Sequence, residues 1–285
     1  MTDYLPAADS THKCRSDRSR PTNRPGYNRP PMHDAPPARQ LPALRPAEQP
    51  ALPAATQPEL AELFAFMAEA ELRFDSLRMR IVDKRVTANG DEVETHDVWL
   101  RHQGHAKVVS SRGATTDRDY DVWVADGEKV HTYDAKGNVT TDRRLPRRPV
   151  GAESMDLPPW SRLYVPVTTL PAESLADTFV HPRGFCHNVL MTGLVYRRGT
   201  QQMANGREAL LLRCDHPRTS HVLTDRPDHW LEVGVDLQTG MIVLIAEHVA
   251  EAMTRHAEAV TISLDERIPD EAFALHVSDD VRRIY

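Results

Sequence analysis

The chain carries fourteen histidines, and one group of them lies beside a cysteine at spacings that could bind a metal. Cys214 and His216 are followed by His221 and then by His229. Thiolates and imidazoles are preferred zinc ligands, but this spacing matches no closed structural zinc site. Two prolines also interrupt the segment. We therefore interpret these residues as loop residues between strands and predict no metal site.

A nucleophile with an adjacent base occurs once, as Cys186 and His187. On a strand, neighbouring side chains point to opposite faces, so these two would not cooperate there. The sequence contains no G-x-S-x-G elbow, phosphate-binding lysine loop, dinucleotide glycine fingerprint or H-E-x-x-H pair. We therefore predict no catalytic residue and no cofactor.

The cysteines and carboxylates also favour structural roles. Three cysteines are too few for a disulfide framework. A bond between Cys186 and Cys214 is geometrically allowed if their strands are neighbours, but two buried thiols are the default in a cytosolic chain. Asp126, Asp134 and Asp236 occupy turn positions, where aspartate is favoured for its local hydrogen bonds.

Residues 1–57 differ in composition from the rest of the chain. Twelve of the 22 prolines fall within residues 1–58, and aromatic residues are nearly absent there. Such a segment cannot bury enough apolar surface to fold, so we predict a disordered proline-rich arm followed by one domain over residues 58–285. The arm is either a docking tail for a proline-reading groove or a bare extension, and the second reading is favoured.

The charge and hydropathy patterns exclude several classes of protein. The formal net charge is −6, and the arm is positive, so the domain is strongly negative and nucleic acid is not an expected partner. No apolar run reaches the length of a membrane span, and the first residues lack the pattern of a secretory signal. The sequence as given predicts a cytoplasmic protein.

A helix is predicted over residues 57–73. Thr56 and Glu59 have the spacing of a capping box. An apolar stripe of helical period then follows, and this stripe requires a sheet or another helix to cover it. It consists of Leu60, Leu63, Phe64 and Met67.

After this helix the apolar period changes to two, and Asn89-Gly90 predicts a two-residue type I′ hairpin. Such a turn fixes the register of the two strands. It would place Ile81 opposite Val98 and Met79 opposite Leu100 on one face. Further along the same strands it would set opposite charges or a cation and an aromatic ring against each other. These pairs are Asp83 with His96, Arg85 with Glu94, and Arg80 with Trp99.

The remaining elements predict an α+β fold that is mostly β. A second hairpin turns at Asp126-Gly127, about four strands precede a proline-rich excursion over 144–186, and a short helix lies near 172–179. About five strands and one closing helical turn follow. Consecutive strands joined by short turns predict a curved antiparallel half-barrel, covered by the N-terminal amphipathic helix and a short second helix.

One apolar face of this sheet is the candidate binding site. Its residues either fill an ordinary core or line a half-open barrel that holds an apolar ligand under the helix. The predicted ligand-binding residues are Phe64, Met67, Met79, Ile81, Val98, Leu100, Val122 and Val124.

Four motifs follow one another along the chain: LFAFMAEAELRFDSLRMRI, DVWVADGEKVHTYD, VDLQTGMIVLI and the closing IPDEAFALHV. Their order resembles the LolA-like superfamily, which includes lipoprotein carriers, the RseB/MucB regulators and actinobacterial lipid-binding lipoproteins. The likeness spans residues 58–282. It implies an incomplete, curved antiparallel barrel closed by helices, whose cavity binds acyl chains or a partner's hydrophobic segment without enzymatic activity. Members of the superfamily are typically exported.

The leading hypothesis is therefore a non-enzymatic module that binds a lipid, an acyl chain or a hydrophobic peptide. The main alternative is a regulatory module with a filled core, whose surface binds another protein. A hydrolase that uses a histidine is the third hypothesis. A polar cleft around a histidine or carboxylate of shifted pKa would favour it.

Overall fold

The computed structural model describes residues 51–52, 58–102, 104–113, 119–145, 168–217, 228–275 and 281–284. These residues belong to one compact unit that spans Leu41–Tyr285. The predicted arm lies outside the described residues, apart from Ala51 and Leu52. The N–H of Leu52 donates to the carbonyl of Leu237, with an N–O distance of 2.8 Å. The chain thus meets the domain a few residues before the predicted boundary.

The described elements are three α-helices, short 3-10 turns and twelve strands. The helices are α1 (Leu60–Ala68), α2 (Leu175–Val180) and α3 (Arg183–Asn188). The strands before α2 are β1 (Ser76–Thr87), β2 (Gly90–Arg101), β3 (His105–Arg112), β4 (Tyr120–Asp126), β5 (Lys129–Asp134) and β6 (Val139–Arg144). Those after α3 are β7 (Leu194–Gln202), β8 (Glu208–Asp215), β9 (His229–Asp236), β10 (Ile242–Val249), β11 (Ala252–Leu264) and β12 (Arg282–Ile284).

All twelve described strands form one open sheet in the order β12-β6-β5-β4-β3-β2-β1-β11-β10-β9-β8-β7. Every pairing is antiparallel except the parallel pairing of β12 with β6. The mostly-β, antiparallel fold predicted from the sequence is confirmed. Two meanders, β1–β6 and β7–β11, meet where β1 pairs with β11.

Bulges occur in several of these ladders. A β-bulge adds a residue to one strand, bends it and increases its twist. The register shifts in the β1–β11, β10–β11, β9–β10 and β7–β8 pairs. These irregularities lie in the second half of the sheet and at its junction with the first, and they are consistent with a curved half-barrel.

Helix α1 is shorter than predicted and begins later. It ends at Ala68, and a 3-10 turn over Ala70–Arg73 continues it. The N-cap is Glu59, whose N–H donates to the Glu62 carboxylate at 3.3 Å. The capping box predicted with Thr56 as its first residue was therefore wrong. The pair of glutamates three residues apart makes the reciprocal contact instead.

The register of the first hairpin was also predicted wrongly, by two residues. The structure pairs Met79 with Val98 and Ile81 with His96, and Thr87 lies opposite Gly90. Gly90 takes a positive φ of 112° as the first residue of the returning strand rather than inside the turn. A shift of two residues keeps every side chain on its predicted face, because the side-chain period of a strand is two.

The predicted charged pairs change with this register. Asp83 lies opposite Glu94, and Arg80 lies opposite Asp97. The Arg80 guanidinium binds the Asp97 carboxylate through two hydrogen bonds of 2.6 and 3.0 Å. Two like charges, Asp83 and Glu94, therefore face each other on one side of the hairpin, and another element must supply their counter-ions.

The second hairpin and the presence of about five strands after the proline-rich excursion were predicted correctly. Two details differ. Six strands precede α2 instead of four, because β3 and β6 lie outside the two predicted hairpins. Cys186 lies in helix α3, not on a strand, and β7 begins only at Leu194.

A C-terminal segment, residues 268–275, packs on the face of the sheet that the helices leave uncovered. The Phe273 ring lies 5.6 Å from the His105 ring and 5.0 Å from the Arg101 guanidinium carbon. The Lys107 ammonium donates to the carbonyl of Ala274 at 3.1 Å. Where this segment lies on β2–β4, the sheet is thus covered on both faces. Within the described ranges, no helix is long and apolar enough to cross a membrane.

Candidate functional site

The helix face is the side of the sheet that packs against α1, α2 and α3. Helix α2 packs on β2 and β10, and α3 packs on α1 and α2. Leu63, Phe66 and Met67 of α1 are at most 1% exposed. They join one apolar cluster with residues of β1–β3 and β8–β11. The helix face is therefore the centre of the hydrophobic core.

Six of the eight predicted ligand-binding residues lie together in or against this cluster. Phe64 is half-buried at its margin, and the other five are at most 3% exposed. The six are Phe64, Met67, Met79, Ile81, Val98 and Leu100. The alternation of strands β1 and β2 identifies the four strand positions from the sequence, and the helical period of α1 identifies Phe64 and Met67.

Val122 and Val124 lie on the opposite face of the sheet, which corrects their predicted place. Val98 pairs with Val108, which pairs with Trp123, so Trp123 is the β4 residue on the helix face. Val122 and its neighbour Val124 point the other way. Both sides of β4 are apolar, because the C-terminal segment covers one of them, and alternation could not distinguish the two faces.

The helical cover contains sulfur side chains. The thiol of Cys186 lies 3.7 Å from the Met67 sulfur. Burial raises the pKa of Cys186 to about 12 and that of Cys214 to about 11. Both cysteines are free thiols, and the Cys214 thiol lies 3.8 Å from the Leu190 carbonyl. The favoured reading of two buried thiols is confirmed, and these thiols are too weakly acidic to be nucleophiles.

The D-x-x-T-G turn between β9 and β10 anchors α1. Asp236 is fully buried and binds the Arg207 guanidinium through hydrogen bonds of 2.8 and 2.9 Å. It also accepts from the Thr239 N–H and hydroxyl. A Cβ on Gly240 would lie 2.9 Å from the Phe66 carbonyl. The motif therefore serves close packing between this turn and the helix.

A polar cluster lies beneath the helical cover. The His181 Nδ1 donates to the Asp177 carboxylate at 2.8 Å, and its Nε2 lies 3.3 Å from the Glu71 carboxylate. Glu71 is 1% exposed. Burial alone would lower the pKa of His181, but the charges and hydrogen bonds of the two carboxylates raise it to about 9. His181 is therefore a buried imidazolium that joins α2 to the turn after α1.

His102 extends the same cluster to the β2–β3 turn. Its Nε2 lies 2.6 Å from the Glu71 carbonyl and its Nδ1 lies 3.3 Å from the Thr168 hydroxyl. Its ring stacks on Phe74, with centroids 5.3 Å apart. Burial lowers the pKa of His102. Both of its ring nitrogens are engaged in structural contacts, so the cluster holds no histidine poised as a general base.

The far end of the helix face, beyond Ile81, is charged. Asp83 is fully buried, and Arg255 binds both of its oxygens at 2.9 and 3.0 Å. Arg85 adds a third hydrogen bond of 2.8 Å. Burial would raise the pKa of the Asp83 carboxyl, but the two guanidinium groups lower it below its usual value. Arg255 also lies 3.2 Å from Glu247, so three strands share this network.

Glu94 and His96 of β2 complete this charged end. The His96 Nδ1 lies 2.8 Å from the Ser110 hydroxyl, and its Nε2 lies 4.0 Å from the Glu94 carboxylate. Burial lowers the pKa of His96. The ligand atoms of Asp83, Glu94 and His96 all lie within 4.8 Å of one another. Sequence analysis placed these residues in ion pairs and missed the cluster.

The metal-binding alternative considered around Cys214 falls partly outside the described residues, because His221 lies there. His216 is exposed, whereas Cys214 and His229 are buried. Among the residues that the structure describes, the group with metal-binding geometry is the one at the charged end of the helix face, and it includes none of these.

No protein-family model matches the sequence, and no curated protein matches it significantly. Solved structures do resemble the chain. A structure of MucB is 14% identical over 78% of this chain, with a TM-score of 0.45. An uncharacterized conserved protein from Thermus thermophilus is 9% identical over 79% of this chain and 99% of its own, with a TM-score of 0.44.

A LolA superfamily protein from Nitrosomonas europaea is 8% identical over 75% of this chain and 97% of its own, with a TM-score of 0.30. The chain spans 64% of the MucB chain, slightly less than two thirds of its length.

Proposed function

We propose that the domain is a non-enzymatic binding module that takes an apolar chain, such as a lipid acyl chain or a hydrophobic peptide, against the helix face of its sheet. The observation that carries this proposal is the kind of cover that the helix face has. Among the described residues, three helices of nine, six and six residues pack on it, and no second sheet does.

Short helices make a cover that can be displaced. Isolated helices of this length are marginal in water, so α1–α3 keep their structure through packing on the sheet. An apolar chain that offers the sheet equivalent contacts can replace part of that packing. Burial of apolar surface is worth about 25 cal/mol per Å² for either occupant, so the exchange is nearly balanced in free energy.

The side chains at this boundary suit such an exchange. Met67 and Met79 contribute flexible thioethers to the cluster, and Cys186 contacts Met67. Methionine side chains adapt to partners of different shape, because they are unbranched and polarizable. Phe64 is only half-buried at the margin of the cluster. An incoming chain would meet Phe64 first and Met67 next.

A fluorescent fatty acid tests this proposal. Val98 is 1% exposed on the helix face, and Val122 is 8% exposed on the opposite face. Val98→Trp fills the proposed site, whereas Val122→Trp adds the same volume under the C-terminal segment. Each substitution overpacks the protein and should cost ~1–3 kcal/mol. We expect the unmodified protein and Val122→Trp to take up the fatty acid and Val98→Trp to lose it.

A lack of uptake by the unmodified protein would contradict the proposal. The alternative would then be a regulatory module with a filled core, whose surface binds another protein. One observation favours it: Met191, Leu194 and Tyr196 are 58%, 58% and 49% exposed at and beside the edge strand β7. Exposed apolar side chains on an edge strand suit the docking of another protein.

A further inference from the structure

The charged end of the helix face has the arrangement of a metal site. Asp83 on β1 lies directly opposite Glu94 on β2, and His96 follows two residues later on the same face. Cross-strand partners lie about 5 Å apart, and residues at i and i+2 share a face. Strand pairing alone therefore brings two carboxylates and an imidazole together, with ligand atoms within 4.8 Å of one another.

His96 is oriented as a ligand. Its side chain is 9% exposed, and its Nδ1 lies 2.8 Å from the Ser110 hydroxyl. Its Nε2 is buried and has no hydrogen-bond partner among the described residues. Histidines that bind metals generally use one ring nitrogen for an outer hydrogen bond and the other for the metal. A buried nitrogen without a partner costs free energy, and a cation would satisfy it.

Glu94 is held loosely enough to close on a cation. Its carboxylate lies 3.4 Å from Arg112 Nε and 3.8 Å from Arg85 Nη2. Both distances exceed the ~2.7–2.9 Å of a strong charge-assisted hydrogen bond. The gap of 4.0 Å between Glu94 and the His96 Nε2 would close by roughly half an ångström around a tetrahedral metal at ~2.0–2.2 Å from each ligand.

We propose that Asp83, Glu94 and His96 bind a divalent first-row transition-metal cation of the Zn²⁺ type. One imidazole nitrogen with two carboxylate oxygens is a ligand set that such cations accept, and water completes the coordination. This site is separate from the proposed apolar site, because it lies beyond the apolar stretch of the same face.

Arg85 is an internal competitor of this cation. Asp83 is bound by two arginines that differ in exposure and in their other contacts. Arg255 is 14% exposed and also pairs with Glu247, so it is fixed. Arg85 is 44% exposed and can swing into solvent. When it leaves, the Asp83 oxygen that it occupied becomes available, and a divalent cation replaces a monovalent guanidinium beside the carboxylates.

Titration of the metal-free full chain with Zn²⁺, followed by calorimetry, tests the site. We expect His96→Gln to weaken one binding event by at least about 100-fold, since loss of even an outer-shell partner costs about 10–100-fold. His256→Gln is the matched control. His256 lies 3.9 Å from Glu258 with the same two-residue spacing on a strand, and the described residues offer it no third ligand.

Arg85→Gln is the second test variant. We expect it to tighten Zn²⁺ binding roughly tenfold, because one positive charge beside the site is removed. A purely structural cluster would show no such gain. Unchanged Zn²⁺ binding in His96→Gln overturns the proposal. If His96→Gln does not fold, Zn²⁺ binding by Arg85→Gln tests the proposal instead, because the Arg85 side chain is exposed. A Kd of Arg85→Gln for Zn²⁺ equal to that of the unmodified protein then overturns the proposal.

Discussion

Two buried histidines of this domain lie beside carboxylates, and their surroundings move their pKa values in opposite directions. His181 contacts Asp177 at 2.8 Å and Glu71 at 3.3 Å, and its pKa rises to about 9. His96 lies 4.0 Å from Glu94, and its pKa falls. Burial penalises the imidazolium at both positions. Only direct contact with the carboxylates reverses the penalty.

We call the cluster around His181 closed, because its imidazolium contacts both carboxylates. We call the cluster around His96 open, because its imidazole lies 4.0 Å from the Glu94 carboxylate. Around His181, the imidazolium is the counter-ion of the carboxylates, and the cluster joins helices to the sheet. Around His96, two arginines already neutralise Asp83, so the imidazole is not required for charge balance, and its Nε2 has no hydrogen-bond partner among the described residues. The first arrangement stabilises the helical cover. The second leaves capacity for a further cation.

Removal of the His181 ring should have the largest effect. His181→Leu removes the imidazolium that lies 3.3 Å from Glu71, a carboxylate only 1% exposed. Breaking a buried ion pair by removing one partner typically costs ~3–5 kcal/mol. We expect a loss of this size in urea unfolding. The double variant with Glu71→Gln should recover part of it, because it removes the buried charge. A loss below about 1 kcal/mol in the single variant would contradict a closed cluster.

The same ion pair predicts an alkaline loss of stability. The folded pKa of His181 is about 9 and its ordinary value is 6.5. A raised folded pKa means that the stabilisation is fully present below pH 6.5 and is lost as the pH rises through 9. The loss should be on the order of 3 kcal/mol. Urea unfolding between pH 6 and pH 10 measures it, and His181→Leu should lack this part of the profile.

A substitution at the charged end of the helix face should cost less stability, because two arginines share the charge of Asp83. Arg255→Met leaves Asp83 with the hydrogen bond from Arg85, so we expect a loss of roughly 2 kcal/mol, below the range for a singly paired buried charge. Far-ultraviolet circular dichroism in urea gives the value. A loss as large as that of His181→Leu would mean that Arg85 does not share the charge of Asp83.

Sequence reasoning found the apolar part of the site because its signal is local. Over residues 77–81 of β1, arginines lie on one face and apolar residues on the other, so period two assigns Met79 and Ile81, and the hairpin brings Val98 and Leu100 to the same face. Strand β4 is apolar on both faces, and the packing of Phe273 that explains this comes from the far end of the chain. The assignment of Val122 and Val124 failed for that reason.

The charged end was missed because it depends on register and on distant pairing. A hairpin shifted by two residues exchanges the partner of Asp83 from His96 to Glu94. Arg255, which is 172 positions from Asp83 in sequence, reaches it only because β11 pairs with β1. The Asn89-Gly90 pair does not by itself decide whether Gly90 lies inside the turn or begins the returning strand, and the pairing of β1 with β11 has no local signal in the sequence.

The smallest effect is expected for Arg85→Gln. The Arg85 side chain is 44% exposed, and exposed ion pairs contribute ~0–1 kcal/mol because water screens the charges and the long side chain loses rotamer freedom. Asp83 keeps both hydrogen bonds from Arg255 after the change. Thermal unfolding of Arg85→Gln beside Arg85→Lys separates loss of charge from loss of the guanidinium geometry. A stability loss above about 1 kcal/mol in Arg85→Gln alone would make Arg85 a structural counter-ion of Asp83, and the cluster around His96 would then be as closed as the one around His181.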